Sequence, residues 1–200
     1  MRILVKKGGP LTTLQDLGRY GYQKFGVLVS GAMDDVSLRL SNLLVQNDPG
    51  EGALEMTMSG PVLVLPAGLV FALTGADMKA TLGGKPVPRY RPIYVRKEAI
   101  LTFGFAQTGS RAYLSVAGGF DVPQVMESKS TYLRAKIGGV KGRPIDKGDE
   151  LPIGTIGPHQ AAFVGRMERS AKEGDSFVTV PWSICLLYTS PSPRDRQKSR

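Results

Sequence analysis

The residue types best suited to chemistry cluster near the start of the chain. They run Gln15-Asp16-Leu17-Gly18-Arg19-Tyr20-Gly21-Tyr22-Gln23-Lys24-Phe25-Gly26, and then Ser30-Gly31-Ala32-Met33-Asp34. Arg19 carries a planar fork that can grip a carboxylate or phosphate bidentately, and Tyr20 beside it belongs to the same candidate seat. Ser30 and Gly31 open a turn that leads into a helix, where backbone N–H groups suit an oxyanion or a phosphate. Asp34 is a candidate catalytic carboxylate at that turn. The plainer alternative is that Asp34 only caps the helix and Arg19 pairs with Asp16. So long a segment with no period is usually functional or disordered, and its aromatics argue against disorder.

Three further carboxylates, Glu55, Asp77 and Asp121, stand at strand edges or beside glycine. Asp77 follows Thr74-Gly75-Ala76 at the end of an apolar run, where partial desolvation can raise a carboxylate pKa toward a useful range. It is the second candidate catalytic residue, set against the common turn-forming role of Asp next to Gly. His159 is the single histidine and Cys185 the single cysteine, so a disulfide framework, a cysteine cluster and a multi-histidine metal centre are all excluded within the chain. No metal site is expected. His159 can serve a triad, or simply lie on the surface of its Gly-Pro-His segment. Neither G-x-x-x-x-G-K-[ST] nor a strand-to-helix G-x-G-x-x-G occurs, so a nucleotide would need some other arrangement or a partner.

The positioning elements must be mostly strands. Glycine, at 25, and proline, at 14, are both frequent in the 200 residues, which favours many tight turns. Apolar runs at Met1–Lys6, Leu54–Met58, Pro61–Leu65, Leu69–Thr74, Ile93–Arg96, Ile100–Phe105 and Ala112–Ala117 alternate with turn signals. Met78–Leu82 and Lys85–Pro88 flank Gly83-Gly84, a hairpin signal. Strands so closely spaced predict an all-β sandwich or barrel. One helix is predicted over residues 34–47, with Val36, Leu40, Leu43 and Leu44 on one stripe and Asp34 as N-cap. A second, short helix is predicted over Val122–Ser128, with Pro123 in its first turn.

Net charge is +9, but three of those charges fall in residues 185–200, a stretch without period and rich in Ser-Pro and basic residues. That stretch resembles a translated sequencing adapter and is expected to be a non-native, disordered tail; a genuine basic tail is the alternative. The remaining +6 is mild. Its cluster of Lys129, Arg134, Lys136, Lys141, Arg143 and Lys147 has Tyr132 as its only aromatic, which argues against nucleic acid. An anionic small molecule, a phosphate or plain solvent suits it better. No apolar run approaches the roughly 20 residues of a membrane span, and no signal peptide is visible, so a cytoplasmic location is expected.

Several segments together resemble the family of 5-oxoprolinase C subunits, which also includes allophanate hydrolase subunit 2, biotin-dependent carboxyltransferase domains and antagonists of a kinase inhibitor. They are Thr13–Tyr22, Ser30–Asp34, Asn42–Val45, Ala53–Glu55, Ser59–Pro61, Leu73–Asp77, Pro88–Tyr90, Gly109–Tyr113 and Ala117–Phe120. The resemblance covers roughly residues 1–180. It implies a mainly β, cyclophilin-like β-barrel, here incomplete. Residues 1–184 would be the N-terminal part of the domain, with exposed edges that favour aggregation. It also implies one component of a 5-oxoprolinase complex, acting with the A and B subunits to convert 5-oxoproline to glutamate at the expense of ATP; the chain alone is expected to be inactive. The alternatives are a carboxyltransferase of a urea-carboxylase-like system, which would use biotin, and a non-enzymatic antagonist. The resemblance itself assigns no catalytic residue.

Overall fold

A computed structural model describes residues 1–171 and 174–184. The expected tail, 185–200, lies outside the described residues. In chain order the first strands are β1 (Arg2–Lys7), β2 (Thr12–Gln15), β3 (Ala53–Thr57), β4 (Val62–Leu65), β5 (Val70–Asp77) and β6 (Thr81–Leu82). Then come β7 (Lys85–Pro86), β8 (Pro92–Val95), β9 (Ala99–Thr102), β10 (Thr108–Val116), β11 (Glu150–Pro152) and β12 (Phe177–Thr179). The helices are α1 (Asp35–Leu44) and α2 (Pro158–Arg169).

The strands form two antiparallel six-stranded sheets, ordered β11-β1-β4-β9-β6-β7 and β12-β8-β5-β10-β3-β2. Period-2 alternation explains how they pack. In β1, Ile3 and Val5 point inward while Arg2, Leu4 and Lys6 face solvent. Side chains from both sheets meet in one core: Ile3, Leu63, Leu101 and Leu151 from the first, Leu54, Phe71, Ile93 and Leu114 from the second. Burial of each such side chain contributes roughly 1.5–3 kcal/mol. The mainly β expectation holds. The barrel is not closed among the described residues, since no pair of named strands joins the two ladders.

The second sheet is covered on its other face as well. β5 is apolar almost throughout because Phe71 and Leu73 enter the inter-sheet core, while Val70 and Ala72 meet the helices. Phe163 and Met167 of α2 and Leu44 at the end of α1 pack there with Tyr94 and Ala117. On the same face α1 is tied down by polar bonds: Thr74 Oγ1 donates to Ser37 O at 2.7 Å, and the Ser41 and Ser115 hydroxyls pair at 2.6 Å. No helix of the described residues is long and apolar enough to cross a membrane.

α1 starts where expected, with Asp34 as N-cap, but ends three residues early, at Leu44. Gln46 has turned to φ +59°, and Asn47 leaves the helix to bond Val116 O and Asn42 Oδ1. The short helix expected over Val122–Ser128 does not form. Met126 and Glu127 both adopt positive φ in a tight turn bridging Val125 and Ser128, because the Ser128 and Ser130 hydroxyls are drawn to Asp16. Gly83-Gly84 makes the expected hairpin, with Leu82 opposite Lys85. α2 was not anticipated. Its Gly-Pro-His start is a helix entry in which Pro158 fills the first turn and Gln160 Oε1 accepts from Gly157 N at 3.2 Å. His159 lies exposed on that turn.

Candidate functional site

The turn into α1 is held by a ladder of buried polar bonds. Tyr113, on β10, is fully buried, and its hydroxyl donates to Glu55 Oε2 on neighbouring β3 at 2.7 Å. The same hydroxyl accepts from Asp34 N at 2.8 Å, and Glu55 Oε2 also accepts from Met33 N at 2.8 Å. Burial, then the hydrogen bond to Glu55, pushes the Tyr113 phenol well above its ordinary pKa, so it stays protonated and remains a donor. One residue earlier, Ala32 N donates to Asp16 O at 2.9 Å. Asp34 accepts from Ser37 N (3.0 Å) and Ser37 Oγ (2.6 Å). The N–H groups of Ala32, Met33 and Asp34 are therefore engaged within the protein. That removes most of the anion seat expected at Ser30–Asp34.

A cleft of about 330 Å³ opens beside this ladder, lined by Met33, Asp34, Ser37, Tyr90, Ser110 and Arg111, among others. Arg111 lies 3.7 Å from Glu55 Oε1, close enough for an ion pair but beyond a hydrogen bond. Gly75 forms part of the wall. Its φ of +81° and the nearness of Arg111 O leave no room for a Cβ, and it is bonded to the Tyr90 hydroxyl through its N–H at 3.0 Å. Of the residues expected from sequence, Asp34 alone lines this cleft.

Asp77 borders an adjoining cleft of about 340 Å³, with Lys79 and Arg89. Its carboxylate accepts from Lys79 N at 3.0 Å and from Lys79 Nζ at 2.8 Å. These bonds, the side-chain one foremost, hold its pKa below the usual carboxylate range. The direction is opposite to the one expected from strand burial, because an exposed lysine two residues away outweighs desolvation there.

Arg19 is fully buried and does not face either cleft. Its Nη2 donates to Ser130 O and its Nε to Val125 O at 3.4 Å, so it clamps the loop that replaces the second predicted helix. Burial lowers its pKa, opposed by the nearby Asp16 charge. Asp16 in turn accepts from Gly18 N (2.7 Å), Ser128 Oγ (2.8 Å), Lys129 N (2.6 Å) and Ser130 Oγ. Gly31 packs against Leu17 and Gly18, leaving no room for a side chain, and Ser30 adopts φ +56° in the same crossing. Tyr20 points to solvent at 66% exposure. The motif thus divides: Asp16, Arg19, Ser30 and Gly31 build the scaffold under α1, and Asp34 reaches the cleft.

Glu55, Tyr113 and Arg111 were missed as a constellation. Their signal was present in β-strand register: Tyr113 stands opposite Glu55 and Arg111 opposite Thr57, two residues further along each strand. A larger cleft of about 480 Å³ lies between α2 and residues 178–182, but Arg166 is its only ionisable liner among the described residues. Among the described residues no group of three or more His, Cys, Asp or Glu could hold a metal ion.

The family model for the carboxyltransferase domain, subdomain A and B, matches residues 25–185. The chain is 43% identical over 148 residues to the C subunit of 5-oxoprolinase from Escherichia coli, covering 74% of this chain and 48% of that protein. It is 41% identical over 144 residues to urea amidolyase of Saccharomyces cerevisiae, covering 72% of this chain and 8% of that one. The crystal structure of the Kluyveromyces lactis urea amidolyase superposes with a TM-score of 0.75 at 38% identity, over 80% of this chain and 10% of the other. The chain therefore spans about half the length of the 5-oxoprolinase relative and a small part of urea amidolyase. It belongs to the carboxyltransferase domain family, subdomain A and B.

Proposed function

We propose that this chain is one component of a cytoplasmic, ATP-dependent 5-oxoprolinase, acting with A-type and B-type partners to open 5-oxoproline to glutamate. The observation that carries this reading is 43% identity over 148 residues, 74% of this chain, to a 5-oxoprolinase C subunit. In this reading residues 1–184 are the N-terminal part of a longer domain, and residues 185–200 lie outside it.

A lactam resists hydrolysis, and phosphorylation of its carbonyl oxygen by ATP makes the carbon electrophilic. The cleft at α1 does not fit a triphosphate by itself, since its turn N–H groups already bond to Asp16, Glu55 and Tyr113. ATP would be held by residues elsewhere in the complex. This chain would supply the polar wall against which the lactam is positioned. Asp34, its carboxylate fixed by both bonds from Ser37, would take a proton from attacking water. Asp77, held ionised by Lys79, would act as a fixed negative charge beside the neighbouring cleft rather than as an acid.

Co-expression with the A and B subunits of 5-oxoprolinase, followed by assay of glutamate release from 5-oxoproline with and without ATP, tests the proposal. Absence of ATP-dependent release, with partners that are active alongside an authentic C subunit, overturns it. The second reading, a carboxyltransferase in a biotin-dependent urea carboxylase, is favoured by the likeness to urea amidolyase. It requires a biotin carrier outside residues 1–184 and predicts bicarbonate-dependent carboxylation of urea. A non-enzymatic antagonist would instead bind the B-type partner with no turnover of either substrate.

A further inference from the structure

We propose that Arg111 is the carboxylate anchor of the cleft at α1, which takes a small carboxylic acid bearing an amide or lactam. Most other arginines with a partner in the structure are already committed. Arg19 clamps two carbonyls, Arg143 forms a two-pronged pair with Asp149, Arg89 bonds Gly75 O, and Arg91 bonds Val180 O. Arg111 differs in its position. Arg111 Nε and Arg19 Nη1 are both buried without a hydrogen bond among the described residues, but Arg19 is fully buried away from the cleft, whereas the Arg111 side chain is 24% exposed on its wall.

Glu55 does not satisfy it. At 3.7 Å the carboxylate neutralises part of the charge, while Glu55 Oε2 is occupied by Tyr113 and by Met33 N. The arrangement holds a guanidinium in place without filling its fork, which suits bidentate capture of a planar carboxylate. The pairing of β10 with β5 shifts register between Thr108 and Ala112, a span that contains Arg111, and Gly75 lies close against the Arg111 carbonyl. Asp34 and the residues Thr108 and Ser110 border the same space, giving polar groups for the rest of the ligand.

The identity of the acid rests on the 5-oxoprolinase reading, whereas the preference for a carboxylate does not. Ligand-observed NMR and calorimetry on the full 200-residue chain can use 5-oxoproline, N-acetylglycine and the uncharged 2-pyrrolidinone as probes. The wild-type chain is expected to bind the acids and to bind 2-pyrrolidinone at least about tenfold more weakly. Arg111→Gln is expected to weaken acid binding by about 10- to 100-fold and abolish the preference over the neutral lactam. Arg111→Lys, which keeps charge but not the fork, should fall between them, and Arg134→Gln on the exposed loop should change nothing. Equal binding of acid and neutral lactam overturns the assignment, as does unchanged acid binding in a folded Arg111→Gln chain. Failure of the wild type to bind any of the acids also overturns it. Should Arg111→Gln not fold, protection of the Arg111 side chain from phenylglyoxal by the acids, but not by 2-pyrrolidinone, decides the question in the wild-type chain. The two proposals separate cleanly. Arg111-dependent acid binding in a chain whose complex releases no glutamate keeps the anchor and removes the 5-oxoprolinase reading. An active complex whose KM for 5-oxoproline is unmoved by Arg111→Gln does the reverse.

Discussion

Substituting Tyr113 by phenylalanine tests the polar ladder that sets the position of α1. The change removes one oxygen atom from a fully buried ring and leaves its packing in place. Two bonds disappear: the 2.7 Å donation to Glu55 Oε2 and the 2.8 Å acceptance from Asp34 N. A bond to a charged acceptor contributes about 1.5–3 kcal/mol, and an N–H left without an acceptor costs about 1–3 kcal/mol. Glu55 Oε2 keeps the Met33 N–H, so the two effects partly overlap. The expected loss is about 3 kcal/mol in urea unfolding, or roughly 6–12 °C in Tm for a chain of this size. Because Tyr113 and Glu55 share a bond, Tyr113→Phe and Glu55→Gln should be non-additive by at least about 1 kcal/mol in a double-mutant cycle. Losses below about 0.5 kcal/mol that add independently would refute the ladder, and with it the claim that α1 is anchored through these side chains.

Other outcomes follow from the same geometry. Gly75→Ala forces a side chain into a φ of +81° against Arg111 O, and should cost roughly 2–4 kcal/mol in urea unfolding. Arg19→Met should lower stability by about 3 kcal/mol, since two carbonyls lose their donor and Asp16 its counter-charge. If Arg19 instead served a ligand, stability would be unchanged and only binding lost. Asp149 has its pKa lowered by hydrogen bonding to Arg143, so the folded state binds its proton less readily than the unfolded chain. Its stabilisation is therefore present above about pH 3.8 and lost as pH falls through the lower folded value; an acid titration of unfolding should show that limb, and Asp149→Asn should remove it.

Local signals recovered the elements that repeat. The apolar runs of β1 and β10, the Gly83-Gly84 hairpin and the Asp34 cap follow from patterning and turn chemistry, and each is visible in a single stretch of chain. The tertiary bonds were not visible there. Asp16 reaches Ser128 and Ser130 more than a hundred residues away, and that attraction replaces the predicted helix at Val122–Ser128 by a left-handed turn. α2 was hidden by its opening, because Gly157-Pro158 reads equally as a loop or as a helix start.

The site was half legible for a related reason. Its first half, Asp34, belongs to a contiguous motif, and charge next to a helix start marks it. Its second half comes from β3 and β10, where Glu55, Arg111 and Tyr113 meet only when the strands pair. Arg19 carried the right chemistry in the wrong place: a guanidinium looks the same in sequence whether it grips a ligand or two backbone carbonyls. The same ambiguity applies to Asp77, whose pKa direction depends on Lys79 folding back onto it.

A paired exchange tests the functional claim most directly. Residues 1–184 would replace the matching segments of the 5-oxoprolinase C subunit from Escherichia coli and of urea amidolyase from Saccharomyces cerevisiae, at the 43% and 41% identical regions. With its A and B subunits supplied, the 5-oxoprolinase hybrid is predicted to release glutamate from 5-oxoproline only when ATP is present, while the urea amidolyase hybrid carboxylates urea poorly. A folded 5-oxoprolinase hybrid that releases no glutamate, beside a urea amidolyase hybrid with full biotin-dependent activity, would contradict the account.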